Sequence, residues 1–248
     1  MIPQIVLNNM HVIVIAGLFL GLDKGGLKPL LVIATYLLLQ TFSPQTMLAI
    51  LSPLLVVGEI FPMYHYREQA NRPVANKILV WMIVGVIVGT IVGSNINTQI
   101  FCLLIGIFIV VMGITNIIIE KTQHFSEISQ TKTAILGFLG GLGSLIGNAA
   151  GGITNIYFLS TVKNKNALLG SSSYLYVVIN SIKIVFYLAI WKIYSMDTLA
   201  ITLSMIPFLM IGVLIATAVI KIMPEFVFKI VFYISVFYAG IALILGAL

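Results

Sequence analysis

The sequence predicts an all-α membrane protein of about ten segments, arranged as two inverted five-segment repeats with interrupted or re-entrant helices. Three observations carry that prediction. Of 248 residues, 60% are hydrophobic and only 8% charged, and the mean hydropathy is +1.14; a soluble globular chain carries about a quarter charged residues. A glycine ladder, Gly17, Gly21, Gly25 and Gly26, recurs as Gly143, Gly147, Gly151 and Gly152 at a constant shift of 126 residues, the mark of a duplicated unit. Lys and Arg collect in every second connection, as short cytoplasmic loops require.

A hydrocarbon core of roughly 30 Å takes about 20 apolar helical residues. Six stretches meet that length, near 45–65, 78–96, 100–119, 167–191, 198–220 and 226–247. Four others are short, near 7–22 and 27–40 around the first ladder and near 134–147 and 152–162 around the second. At 1.5 Å per residue these are half-helices that pass the bilayer centre without a full span. The basic connections hold Arg67, Arg72 and Lys77, then Lys121 and Lys132, then Lys163 and Lys165, then Lys221 and Lys229. Those near 41–45, 96–99 and 148–151 hold no Lys or Arg, and near 192–198 Lys192 is offset by Asp197. Both termini therefore come out non-cytoplasmic.

Five segments per half is an odd number, so two halves of one fold must enter the membrane in opposite orientations. The first repeat is expected over 1–122 and the second over 123–248. Gly85, Gly89 and Gly93 match the region of Gly212 and Ala216, and Ala49 to Pro53 matches Ala167 to Ser171; such small-residue faces let helices approach closely in lipid. The first apolar stretch lacks a basic leader and a small-residue cleavage site, so it reads as a retained segment. The expected location is the inner (cytoplasmic) membrane, multi-pass.

Backbone that leaves the helix at membrane depth is tolerated only where it lines a cavity or is buried in protein. The breaks at Gly21, Gly25 and Gly26, and at Gly147, Gly151 and Gly152, therefore mark a candidate substrate site. Helices restarting there present free N–H groups and a partial positive charge, both of which favour an anion. Side chains placed to complete the site are Lys24 and Lys28 from the first break and Asn148, Thr154 and Asn155 from the second. Ser171, Ser172 and Ser173 follow on the next helix. Lys24 leads this set. The alternative is that Lys24 and Lys28 only mark a cytoplasmic turn, with Asp23 neutralising or capping Lys24, and that the serines only bond between helices.

Glu59 and Lys183 lie deepest within long apolar helices, and buried ionisable groups in a membrane are functional candidates. Each is about 12 Å from its own interface, from opposite sides. Their depths differ by roughly 6 Å in a core of that thickness, so the expectation is that Glu59 pairs with Lys183 or takes up a proton during transport. The alternative is that each snorkels to its own interface.

Other chemistries find no support. Asp23 and Asp197 form no aspartyl dyad, no G-x-S-x-G is present, and His11, His65 and His124 show no zinc spacing. The single Cys102 excludes an internal disulfide. Gly141 to Gly147 has the wrong spacing for a dinucleotide loop, and the basic residues form no stripe for nucleic acid. No catalytic residue, metal or cofactor is expected. The partners expected are a small anionic substrate, the lipid bilayer and, as a candidate, a second copy of the chain. The rival readings are an anion channel and a permease for another small anion such as a carboxylate.

The chain resembles the TauE/SafE-type sulfite exporters over nearly its whole length. The resemblance rests on Gly21-Leu-Asp-Lys-Gly-Gly-Leu-Lys-Pro29, on Gly140-Gly-Leu-Gly-Ser-Leu-Ile-Gly-Asn-Ala-Ala-Gly-Gly152, and on an Ala-x-x-small-Ser/Pro element after each. It implies a multi-pass inverted-repeat permease, a secondary transporter moving sulfite or organosulfonate-type anions, often outward. Asp23-Lys24 and Ala149-Ala150 depart from the plain glycine-rich runs of that family.

Overall fold

The computed structural model describes residues 4–25, 27, 30–93, 97–122, 128–148, 150–162, 164–219 and 225–247. They form eleven helices: α1 (Gln4–Asn8), α2 (Met10–Lys24), α3 (Leu31–Leu39), α4 (Pro44–His65), α5 (Arg72–Gly93), α6 (Thr98–Thr122), α7 (Gln130–Gly147), α8 (Gly151–Thr161), α9 (Lys165–Phe186), α10 (Met196–Val219) and α11 (Glu225–Ala247). A π-helical turn, Tyr187–Trp191, extends α9, and no strand occurs among the described residues. The predicted all-α class therefore holds. Pro44–His65, Arg72–Gly93, Asn166–Trp191 and Met196–Val219 are each long and apolar enough to cross a bilayer.

Helix starts follow local chemistry. Ser43 and Ser129 accept from the N–H of Thr46 and Lys132, both at 3.3 Å. The Oδ1 atoms of Asn71, Asn97 and Asn164 accept from Val74, Ile100 and Ala167 at 3.2, 2.8 and 2.8 Å. A side-chain oxygen in that position satisfies a donor the helix cannot. The α3 and α8 starts, after Leu30 and Ala150, have no such cap from their own N-cap side chain.

A large apolar core, with Ile13, Leu48, Ile50, Leu54, Met82 and Leu209 in it, holds the helices together. Thr35, Ser52, Glu59, Thr154, Asn180 and Lys183 are buried among them. Val80, Val84, Ile91, Leu203, Leu214 and Ile234 are exposed. Apolar stripes turned outward, with polar groups kept inside, suit lipid as the solvent.

Helix pairing follows a regular exchange. α2 packs along α10 and α7 along α5, while α4 packs on α9 and α6 on α11. α3 touches α11 as α8 touches α6. Swapping the chain halves exchanges the α2–α10 pairing with α7–α5 and α3–α11 with α8–α6, and maps α4–α9 and α6–α11 onto themselves. Close approach at glycine shows the same exchange in atomic detail. A Cβ on Gly21 would lie 2.1 Å from the Leu209 carbonyl oxygen, and one on Gly141 would lie 2.1 Å from that of Met82. Gly17 faces Phe208 and Met205 as Gly137 faces Trp81 and Ile78. Gly21 meets Gly212, and Gly141 meets Gly85.

The glycines with matching surroundings are thus Gly17 with Gly137 and Gly21 with Gly141, a shift of 120. This corrects the 126-residue register of the ladder. Gly143 faces Phe108 of α6 instead. The ladder aligned residues by identity, whereas the matching surroundings follow the side-by-side helix contacts, and α7 carries glycines for both uses.

Candidate functional site

The first break begins where α2 ends at Lys24. The Lys24 Nζ donates to Glu59 Oε1 at 2.7 Å and lies 3.6 Å from Asp23 Oδ2. Gly58 makes this possible, because a Cβ there would come within 2.7 Å of Lys24 Cγ. Asp23 also accepts from the Leu31 N–H through Oδ1 at 3.2 Å. A carboxylate thus covers the start of α3, which its own N-cap leaves bare. The first break is internally compensated, with a cation held by two carboxylates.

The second break is built differently. α7 ends at Asn148 in the left-handed region, φ 54°, a conformation that Asn tolerates better than most residues. Its Oδ1 accepts from Lys183 Nζ at 2.6 Å. That ammonium also donates to Ser144 O at 2.7 Å, Ser144 Oγ at 3.1 Å and Asn180 Oδ1 at 2.9 Å. Lys183 is completely buried, and all four oxygens are neutral. The ion pairs among the described residues involve Lys24, not Lys183. With Oδ1 turned to Lys183, the amide nitrogen of Asn148 has no hydrogen-bond partner. A buried donor left in that state costs about 1–3 kcal/mol.

α8 then starts at Gly151. Among the described residues, a Cβ on Gly151 would meet only the Tyr176 hydroxyl, at 3.9 Å. Room therefore adjoins the first turn of α8, in contrast to the crowded Gly21 and Gly141. Thr154 Oγ1 donates back to Ala150 O at 3.0 Å and bonds the Tyr176 hydroxyl. Tyr176 thus joins α9 to the second break, within electrostatic reach of Glu59, Lys24 and Asp23 at the first.

The sequence reading is redistributed accordingly. Lys24, Asn148, Gly147, Gly151, Gly152 and Thr154 lie at the breaks. Gly21 and Gly25 serve the contact of α2 with α10, Gly25 against Ala216 and Val213. Gly26 and Lys28 fall outside the described residues. Asn155 is half-buried on α8. Ser171 accepts from the Asn71 N–H at 2.8 Å, and Ser172 donates to Leu169 O at 3.2 Å, so both are engaged in structural bonds; Ser173 is buried beside them.

The expected Glu59–Lys183 pair is corrected. Glu59 holds Lys24, and Lys183 holds Ser144, Asn148 and Asn180. Comparable depth in the membrane does not fix the direction around the helix axis: Lys183 turns to α7, while Glu59 turns to α2.

Two contributors, Tyr176 and Asn180, were missed. Their signal was present, since Ser172, Tyr176, Asn180 and Lys183 succeed each other at steps of four, four and three, the spacing of one helix face. No cluster of metal-binding side chains occurs among the described residues.

A protein-family model described as Sulfite exporter TauE/SafE matches residues 10–243. No curated protein and no solved structure gives a match.

Proposed function

We propose, because this chain belongs to the sulfite exporter TauE/SafE family and has several helices able to cross a membrane, that it is a secondary transporter of small sulfur-containing anions. Sulfite or an organosulfonate is the substrate, moved outward across the inner membrane by alternating access. The observation that carries this reading is the convergence of two helix breaks on Tyr176, one bringing Lys24 and the other the uncapped start of α8. Discontinuous helices whose ends face one another at mid-membrane are where transporters hold charged substrates.

The anion lies between the breaks, against Lys24, Asn148, Gly151, Gly152 and Thr154, with Lys28, Asn155, Ser171 and Ser172 around it. The paired exchange of helix contacts supports two inverted repeats, 1–122 and 123–248, rocking about that site. Glu59, bound to Lys24, is the candidate proton acceptor for coupling, and Lys183 sets the field opposite it.

Reconstitution into proteoliposomes tests the reading. Saturable sulfite flux with counterflow is expected, with sulfonates, thiosulfate, sulfate and small carboxylates as competitors. Ohmic single-channel currents would instead indicate an anion pore. Carboxylates competing better than every sulfur oxyanion would overturn the substrate class.

A further inference from the structure

At the second break, three donors stand together without a counter-charge. The Asn148 side chain is 9% exposed, yet its amide nitrogen has no acceptor. The neighbouring α8, 11 residues long, begins with no cap from its own N-cap residue, Ala150. Lys183 is wholly buried against neutral oxygens, and the charge that reaches it is another cation, Lys24. A buried ammonium without a carboxylate is stable only with an anion or at the expense of its charge. The space beside Gly151 provides the room.

Resting on the transport reading above, we propose that the transported oxyanion is held at the start of α8 by the Asn148 amide N–H and the backbone N–H groups of that first turn, with the Lys183 ammonium, whose own N–H bonds go to neutral oxygens, as its counter-charge. Lys24, bonded to Glu59, borders the anion from the other break. The donor set suits a compact group with several oxygens around one centre, as in sulfite or a sulfonate head, because each donor can take a different oxygen. The hydroxyls of Thr154 and Tyr176, bonded to each other, border the same space.

The decisive variant is Asn148→Asp in the full chain. It is isosteric, the left-handed backbone accepts Asp as it accepts Asn, and its carboxylate would supply Lys183 with the missing negative charge. The expected result is a folded, monodisperse protein whose apparent KM for sulfite rises by about tenfold or more. Thermal stabilisation by sulfite should disappear at the same time. Gly151→Ala, which fills the space without a clash, should act in the same direction, and Lys24→Gln should raise KM less than Asn148→Asp does.

Folded Asn148→Asp and Gly151→Ala proteins that both keep the wild-type KM and the sulfite-induced stabilisation would overturn this assignment and leave the transport reading standing. A wild-type protein that neither moves nor is stabilised by any sulfur oxyanion would remove the transport reading and this assignment together.

Discussion

The two broken helices begin alike and end differently. α2 lays Gly17 and Gly21 on α10 as α7 lays Gly137 and Gly141 on α5. The 120-residue shift that aligns those contacts places Lys24 opposite Ser144 and Asp23 opposite Gly143. The capping residues of α4 and α9, Ser43 and Asn164, align at 121, which places Glu59 opposite Asn180. The first half therefore carries a cation and two carboxylates at positions where the second half carries Gly, Ser and Asn. In the second half the cation comes from α9 instead, and Lys183 reaches the very residues, Ser144 and Asn180, that stand opposite Lys24 and Glu59. Backbone contacts that need glycine leave little freedom to diverge. Side chains at the breaks are free to specialise, one break closed by its own carboxylates and the other left short of negative charge.

The largest effect expected from breaking this comparison is on folding. Gly21→Ala and Gly141→Ala each drive a Cβ into a carbonyl oxygen at 2.1 Å, and backbone on both sides leaves nowhere to yield. Each should lose about 3 kcal/mol or more, read as a fall in the thermal midpoint of purified protein in detergent. Gly151→Ala should leave the midpoint near wild type. Equal midpoints for all three would mean that the glycine contacts of α2 and α7 are not close approaches.

A smaller effect separates the two cations. Glu59→Gln strips Lys24 of its short ion pair in a buried setting and should cost about 3 kcal/mol. Lys183→Met leaves only neutral oxygens behind and should cost about 1–2 kcal/mol. If Lys183→Met proved the more damaging change, the second break would be the compensated one. Glu59→Gln also bears on coupling, since flux that keeps its full dependence on a proton gradient in this variant would remove Glu59 as the proton acceptor.

Much of the fold was legible because bilayer thickness forces a length on each crossing. Of the six long segments expected, those near 45–65, 78–96, 167–191 and 198–220 correspond to helices able to cross a bilayer, and caps such as Ser43 and Asn164 mark where two of them begin. The positions of both breaks were readable from glycine and short apolar runs. What glycine does at each place was not: Gly21 permits backbone contact and Gly151 leaves open space, and the residue type is the same. The register of the duplication suffered for the same reason. Lys24 was singled out but its partner was not, because depth along an axis says nothing about azimuth. Tyr176 read as packing, since an aromatic ring in an apolar helix shows its hydroxyl's role only once Thr154 is beside it.

The smallest expected effect concerns the cap that the first break makes for itself. Asp23 gives Oδ1 to the Leu31 N–H at the start of α3 while its other oxygen stands 3.6 Å from Lys24. Asp23→Ala removes both and should cost about 1 kcal/mol, the ordinary value of a helix cap, since Glu59 still holds Lys24. Asp23→Asn keeps a side-chain oxygen for Leu31 and should lose less. The two variants together separate cap from charge: if Asn fares as badly as Ala, the carboxylate acts on Lys24 more than on α3. In Asp23→Ala the start of α3 comes to resemble that of α8, an uncapped helix end facing a cation. Apparent affinity for sulfite should then fall no further than stability does, because Lys24 remains engaged by Glu59 at 2.7 Å.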